Sequence, residues 1–327
     1  MKKRVLVTGA AGFYGSSFIR YLMRHTDWDV VALSRPSFGG TYERFNDVGF
    51  ELGFMSRVKF LWHDLRSPIS DLLAKQIGAI DYIFHIGASS HVDRSIEDPV
   101  SFMMDNGVGT THALDYARKN GVQKFFYFST DEVFGSAAEG QDFKEWDRYK
   151  SGNPYAAAKA AGEEMVQAFD NTYGLFTVTT HTMNLFGPYQ HPEKFIPKTI
   201  RHVLDQEVLP IHSNRDKTKA GSRKYIHVDN VSGALLYLVE HGEKGEKYNI
   251  VGEVELDNLS LAQMIADILG KPLQYEMVDF HSSRPGHDLR YSLDGSKMKE
   301  LGYSFVSNFD QSLQDTVQWY MNNRGWL

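Results

Sequence analysis

The chain has 327 residues, 42% hydrophobic and 23% charged, enough for one elaborated globular domain or two packed ones. A net charge of −6 argues against a general nucleic-acid binder, which needs clustered Lys and Arg, but leaves room for a local basic pocket. Cysteine is absent, which excludes disulfides, thiolate catalysis and cysteine metal sites.

The N-terminus, M-K-K-R-V-L-V-T-G, has too short an apolar run for a signal peptide and reads as a first strand. No stretch approaches membrane-spanning length, so a cytoplasmic protein without a membrane partner is expected. Val5–Val7 ends in T-G-A-A-G-F-Y-G, and the periodic residues Phe18, Ile19, Leu22 and Met23 follow. Strand, glycine turn, helix is the context that makes Gly9, Gly12 and Gly15 informative. Glycines let the backbone approach a pyrophosphate, and the helix N-terminus offers N–H donors and a favourable dipole. Phe13 and Tyr14 belong to the same expected contact.

Apolar β-rich runs recur at Val30–Leu33, Val58–Trp62, Tyr82–Ile86, Phe125–Phe128 and Phe176–Thr180. Helical patterns lie between them at about Ile69–Ile77, Val100–Asn120 and Pro154–Tyr173. That alternation predicts an α/β fold, a doubly wound parallel sheet with its ligand at the carboxyl ends of the strands. Those ends carry Ser34, Arg35 and Ser37, then Asp64 and Leu65, then Ile86, Ala88 and Ser90, all expected along the cofactor. After Asn184 the texture changes. Helices are predicted to about Leu204, over Asp229–Glu240, near Leu259–Leu269 and near Ser312–Asn322, with strands at Tyr225–Val228 and Tyr248–Val251. A smaller C-terminal α/β substrate domain follows: residues 1–187 plus about 224–252 as the dinucleotide-binding domain, 188–223 and 253–327 as the other.

Ser129–Lys159 carries the chemistry. S-T-D-E-V-F-G follows the run K-F-F-Y-F, where a buried strand ends, and Asn153-Pro154 opens a helix holding Tyr155 and Lys159 on one face. A free tyrosine titrates near ~10, so as a base it needs a neighbouring ammonium and a cationic nicotinamide ring. Tyrosine and lysine four apart also occur by chance on ordinary helix faces; the glycine motif and Thr130 strengthen the pair. Asp131 and Glu132 fit a linked acid–base elimination, but adjacent strand residues point to opposite faces. The two can share one substrate only if the strand ends there, as Gly135 suggests; a solvated acidic turn is the plain alternative.

T-G-x-x-G-x-x-G, Asn106 in N-G-V-G-T, T-D-E-V-F-G and Y-x-x-x-K together resemble the extended short-chain dehydrogenases/reductases, whose cofactor domain is of the Rossmann type. More narrowly, with H-V-D-R-S, N-L-F-G-P-Y-Q-H-P-E-K-F-I-P, Y-I-H-V-D-N and R-P-G-H-D, the chain resembles the nucleotide-sugar 4,6-dehydratases. The D-E after Thr130 is the most diagnostic segment. The resemblance implies that Tyr155 takes the sugar 4-hydroxyl proton as hydride leaves C4, while Thr130 holds that hydroxyl and Lys159 holds the cofactor ribose. Glu132 then removes the C5 proton, Asp131 protonates the departing 6-hydroxyl, and hydride returns to C6, giving a 4-keto-6-deoxy sugar. It places Asn106 at the cofactor, and Ser90, Asn184, Glu193, Lys194, Arg223, Arg284 and His287 at the nucleotide sugar. Glu193 and Lys194 also read as a helix-start charge pair, and a lone His such as His287 is more often structural. No metal site and no nucleic-acid partner are expected.

The chain departs from that pattern in three places. Ser34-Arg35 stands where many NAD-using relatives carry an acid, so NADP is expected, with NAD as the alternative. The loop Asn214–Arg223 is long and basic, which puts its nucleotide contacts in question. His181 and Met183 replace the more usual Arg and Ser, leaving the base open. A nucleotide-sugar epimerase or decarboxylase on the same fold is the alternative activity, and a non-catalytic NAD(P)-binding regulator a further one. A homodimer is expected through the helices near Val100–Asn120 and Pro154–Tyr173.

Overall fold

The β-rich runs assemble into one seven-stranded sheet, parallel throughout, in the order Lys247–Ile250, Thr177–Thr182, Lys124–Thr130, Tyr82–His85, Arg4–Thr8, Asp29–Ser34, Val58–Trp62. This computed structural model describes residues 2–36, 40–41, 43–47, 55–279 and 290–327. Its strands are β1 Arg4–Thr8, β2 Asp29–Ser34, β3 Val58–Trp62, β4 Tyr82–His85, β5 Lys124–Thr130, β6 Thr177–Thr182 and β11 Lys247–Ile250. Both faces are covered, which is why the strands read as nearly continuous apolar runs. Val5 and Val7 of β1 point into a core shared with the helices Phe13–His25 and Val228–His241. Leu6 points the other way, into a core with Leu114, Ala117 and Val166 of the helices Gly109–Lys119 and Pro154–Tyr173.

Strand order reverses at β1, whose neighbours are β2 on one side and β4 on the other, and a ligand crevice belongs at such a switch point. Here the turns after β1 and β4 are almost in contact. A Cβ on Gly9 would stand 2.6 Å from the Gly87 Cα, so the close approach requires glycine.

Most of the expected elements form within a residue or two of their predicted limits. The pattern over Val100–Asn120 instead forms the helix Pro99–Met103, a π-helical turn at Met104–Val108 and the helix Gly109–Lys119. The reason is a pull on Asn106: its amide accepts from Ser89 N at 2.8 Å and donates to Ser89 O at 2.9 Å, drawing the wide turn toward the loop after β4. In the C-terminal part, the strand pairs β8 Leu209–Ser213 with β13 Tyr275–Asp279, and β9 Ser222–Lys224 with β12 Glu255–Asp257, were not anticipated. A short pair, β7 Leu185–Phe186 with β10 Ile226–His227, accompanies them. The helices Phe195–Asp205, Asn258–Leu269 and Phe309–Asn322 enclose a separate core of Ile200, Leu261, Ile265, Leu313 and Val317. Among the described residues no helix is long and apolar enough to cross a membrane.

Candidate active site

β5 ends at Thr130, and the chain turns at once into a 3-10 turn, Asp131–Phe134. Gly135 closes that turn at φ +79°, and a Cβ there would meet the Lys150 carbonyl oxygen at 2.3 Å. The alternation of a strand therefore stops where the two carboxyls begin, and they no longer face opposite ways. Thr130 caps the turn: its hydroxyl accepts from Glu132 N at 3.3 Å and donates to Asp131 Oδ1 at 3.0 Å.

The helix Pro154–Tyr173 starts where the sequence predicts, with Asn153 as its cap. Asn153 joins two parts of the site. Its Oδ1 accepts from Ala156 N at 2.8 Å, and its Nδ2 donates to Glu132 Oε2 at 3.0 Å. Tyr155 and Lys159 follow on the inner face of the helix, both buried. Lys159 Nζ donates to the Phe128 carbonyl at 2.6 Å and lies 4.1 Å from the Tyr127 ring centre.

Burial sets the charges. Asp131 is raised to about 7, first by burial and then by Glu132, with Thr130 and Arg223 pulling it back. Its Oδ2 is buried and has no hydrogen-bond partner among the described residues. Asp131 is thus a carboxylic acid over much of the neutral range. Tyr155 is pushed well above its ordinary value by burial, then by Glu132 and Asp131, and only the Thr130 hydroxyl opposes this. Lys159 is lowered to about 7 by burial, with Glu163 acting the other way.

The glycine turn fits a dinucleotide. Gly9 has φ +67°, Gly12 caps the helix Phe13–His25 with no side-chain hydrogen bond, and a Cβ on Gly15 would lie 2.1 Å from the Gly9 carbonyl oxygen. A helix whose first N–H groups are left to a ligand, reached over a backbone without side chains, suits a pyrophosphate.

Comparison with known proteins agrees with this geometry. The model of the NAD dependent epimerase/dehydratase family matches residues 5–251, more than half of the chain. The chain belongs to that family. It is 34% identical to the dTDP-glucose 4,6-dehydratase of Salmonella typhimurium, over 99% of this chain and 94% of that one. The crystal structure of DesIV, a dTDP-glucose 4,6-dehydratase from Streptomyces venezuelae solved with NAD, is 37% identical and superposes at a TM-score of 0.89, covering 99% and 98% of the two chains. The NAD complex of UDP-glucose 4-epimerase from Thermus thermophilus superposes nearly as well, at 0.87, with 26% identity over 97% of this chain and 99% of that one. Backbone shape is therefore common to dehydratases and epimerases, and side chains must separate them. The resemblance to the nucleotide-sugar 4,6-dehydratases is borne out by the sequence identity.

In this epimerase/dehydratase the remaining expected cofactor residues divide by how they act. Ser34 Oγ accepts from Ala11 N at 3.3 Å and braces the glycine turn. Arg35 is engaged by two carboxylates, Asp64 at 3.2 Å and Asp105 at 2.6 Å. Leu65 presents its carbonyl to His112 Nδ1 at 2.7 Å, and Ile86 N donates to Thr8 Oγ1 at 3.1 Å. Ala88 and Ser90 are exposed, whereas the Tyr14 ring is in the core, stacked on Phe128 at 4.5 Å. Asn106 spends its amide on Ser89, so its part is to hold the loop that carries Ser90. Ser37, Arg284 and His287 lie outside the described residues.

Among the expected substrate residues, Arg223 comes from a distant part of the chain, yet its charge reaches Asp131. Its guanidinium lies 4.7 Å from the Tyr291 ring centre and donates to the Ser222 carbonyl at 2.6 Å. Asn184 is exposed two residues beyond β6. Glu193 lies 3.4 Å from His91 and 3.6 Å from Arg94, and Lys194 stands at the N-cap position of the helix Phe195–Asp205 without a side-chain capping bond. Three residues that the sequence reading missed take part in the site: Asn153, Asp105 and Glu163. Glu163 had a signal, since it continues the four-residue spacing of Tyr155 and Lys159.

Proposed function

We infer that the chain is a nucleotide-sugar 4,6-dehydratase, a hydro-lyase that converts a nucleoside diphosphate sugar into its 4-keto-6-deoxy form. The observation that carries this reading is the carboxyl pair on the turn after Thr130. Asp131, raised to about 7, is an acid, while Glu132 faces an N–H donor as a base does. The bound dinucleotide supplies a two-electron store, taking hydride from C4 and giving it back at C6.

The protein does the rest. Thr130 holds the 4-hydroxyl, and Tyr155 accepts its proton. Burial and the acid pair hold Tyr155 protonated, so the positive charge of Lys159 and of the oxidised cofactor is needed to stabilise its phenolate. The resulting 4-ketone acidifies the C5 proton, which Glu132 removes. Asp131 protonates the leaving 6-hydroxyl, and water departs. C5 regains a proton as C6 receives hydride, which closes the redox balance. Arg223 is suited to the diphosphate by its planar guanidinium, with Asn184, Glu193, Lys194 and Ser90 around the sugar and nucleotide. The parts with β1–β6 and β11 form the dinucleotide-binding unit, residues 1–187 plus about 224–252, and the remainder holds the nucleotide sugar.

We propose NAD as the resident cofactor, reversing the expectation of NADP. Arg35, the residue that argued for a 2′-phosphate, is already matched by Asp64 and Asp105, and a phosphate dianion there would meet two carboxylates. Asp64 is lowered to about 2, chiefly by its hydrogen bond with Arg66, so it is charged at neutral pH. A homodimer is supported by exposed Ile96, Val100, Met103 and Met104 on consecutive helices, a run of apolar side chains that a second copy would cover. We propose a cytoplasmic location, which suits a nucleoside diphosphate substrate and a dinucleotide cofactor.

The deciding experiment is a screen of UDP-, dTDP-, GDP- and CDP-sugars for loss of water, with mass spectrometry of the cofactor released on denaturation. A 4-keto-6-deoxy product and NAD are expected. The alternative, a 4-epimerase of the same fold, needs Tyr155 but not the acid pair; a product of unchanged mass would establish it.

A further inference from the structure

One turn beyond Lys159 the same helix carries a carboxylate with no part in the chemistry above. Glu163 is 1% exposed and is surrounded by four side chains from three strands and one loop. Ser129 Oγ on β5 and the Tyr149 hydroxyl both donate to it, His181 Nε2 on β6 lies at 3.0 Å, and Lys247 Nζ on β11 at 3.5 Å. Lys247 also donates to the Tyr149 hydroxyl.

His181 is fully buried between two acceptors. Its Nε2 faces the Glu163 carboxylate and its Nδ1 faces Asn249 Oδ1 at 2.9 Å. The Asn249 amide is fixed in that orientation, because its Nδ2 donates to the carbonyls of Phe143 and Asp294, each at 3.0 Å. Both ring nitrogens therefore face acceptors, an arrangement that is satisfied fully only when both donate. Burial alone would push Glu163 up, but His181, Lys247 and Ser129 hold it down at about 2.

We propose that Glu163, paired with a protonated His181, is a positioning residue for the active site: it anchors the end of β5 through Ser129, and its negative charge opposes loss of the Lys159 proton inside a buried pocket. The anchoring is direct. Lys159 grips β5 at the Phe128 carbonyl, Glu163 grips it at the next side chain, and Thr130 follows. The electrostatic part has a sign. Burial lowers Lys159, and Glu163 opposes that. Neutralising Glu163 removes the opposing charge and leaves His181 and Lys247 as uncompensated cations, whereas neutralising His181 removes a cation. The other titratable groups around Lys159 are Tyr155 on its own helix, Tyr127 on β5 and His85 on β4. His85 is lowered to about 3 by burial and by Lys159, and so stays neutral.

The test is the titration of Lys159 in the holoenzyme, followed by NMR of isotope-labelled lysine and assigned with Lys159→Met. Glu163→Gln is expected to lower the midpoint by about one unit or more, Glu163→Asp to restore most of it, and His181→Gln to leave it or move it upward. In the wild type, the His181 ring is expected to show two protonated nitrogens at neutral pH. A midpoint unmoved by Glu163→Gln, shifts of the same sign in both neutral variants, or a His181 with one protonated nitrogen each overturn the proposal. The wild-type spectrum decides even if Glu163→Gln fails to fold. The link to catalysis rests on the dehydratase reading, but these readouts do not. Predicted shifts in a protein that removes no water from any nucleotide sugar would refute that reading and leave this one standing.

Discussion

The two halves of the proposed catalytic centre are built on different kinds of backbone. Thr130, Tyr155 and Lys159 sit on the end of a sheet strand and the first turns of a long capped helix, and regular hydrogen bonding fixes their relation. Asp131 and Glu132 occupy one short 3-10 turn held by Thr130, Asn153 and a left-handed glycine. The proposed redox residues thus stand on regular elements of the sheet and its helix. The proposed elimination pair stands on a local turn at the mouth of β5, where the charge of Arg223, from a distant part of the chain, acts on Asp131. A family with one fold can differ in product through such a turn.

The largest effect is expected where both halves fail. Tyr155→Phe should reduce turnover by about a hundred- to ten-thousandfold while bound dinucleotide is retained, as read by steady-state kinetics and mass spectrometry. Glu132→Gln should lose elimination to a similar degree, about a hundredfold or more, yet still oxidise C4, so reduced cofactor should accumulate on mixing with substrate. If no reduced cofactor forms, oxidation and elimination are not separable in this site.

Asp131 sharpens that separation through pH. Its folded value of about 7 lies above the ordinary one, so the acid is available below about 7 and turnover should fall as pH rises through that value. In stability the sign is the same: between about 4 and about 7 the folded state binds the extra proton, and stability falls with rising pH. Asp131→Asn should therefore melt above the wild type at about pH 8, while its elimination rate drops. The smallest expected effect is at the hinge of the turn. Gly135→Ala forces a Cβ against the Lys150 carbonyl at a left-handed φ, at a cost of roughly 1–3 kcal/mol, and should slow water loss more than C4 oxidation.

What the sequence made legible follows the same division. β1, β2, β4 and β5 could be read because strands buried on both faces are mostly apolar, β3 and β6 through their β-branched and aromatic residues, and the helix Pro154–Tyr173 because Asn153-Pro154 marks its start. Gly135 announced the turn that brings Asp131 and Glu132 together. The strands Leu209–Ser213 and Tyr275–Asp279 were not legible, since each is short and their two-stranded pairing is fixed by partners some sixty residues apart in sequence. The break at Met104–Val108 was hidden because its cause is a tertiary bond from Asn106 to Ser89. Arg35 was legible as a cation, but the carboxylates that match it arrive from Asp64 and Asp105, and sequence spacing gave no sign of either contact.

The central claim, that the acid pair makes this a dehydratase, is most directly tested by turning over the preferred nucleotide sugar in heavy water and examining the product by NMR. A 4-keto-6-deoxy sugar with one solvent deuteron at C5 is expected, because Glu132 removes that proton as water is lost and C5 takes one back as hydride reaches C6. A 4-epimer of unchanged mass with no deuterium at C5 would contradict it.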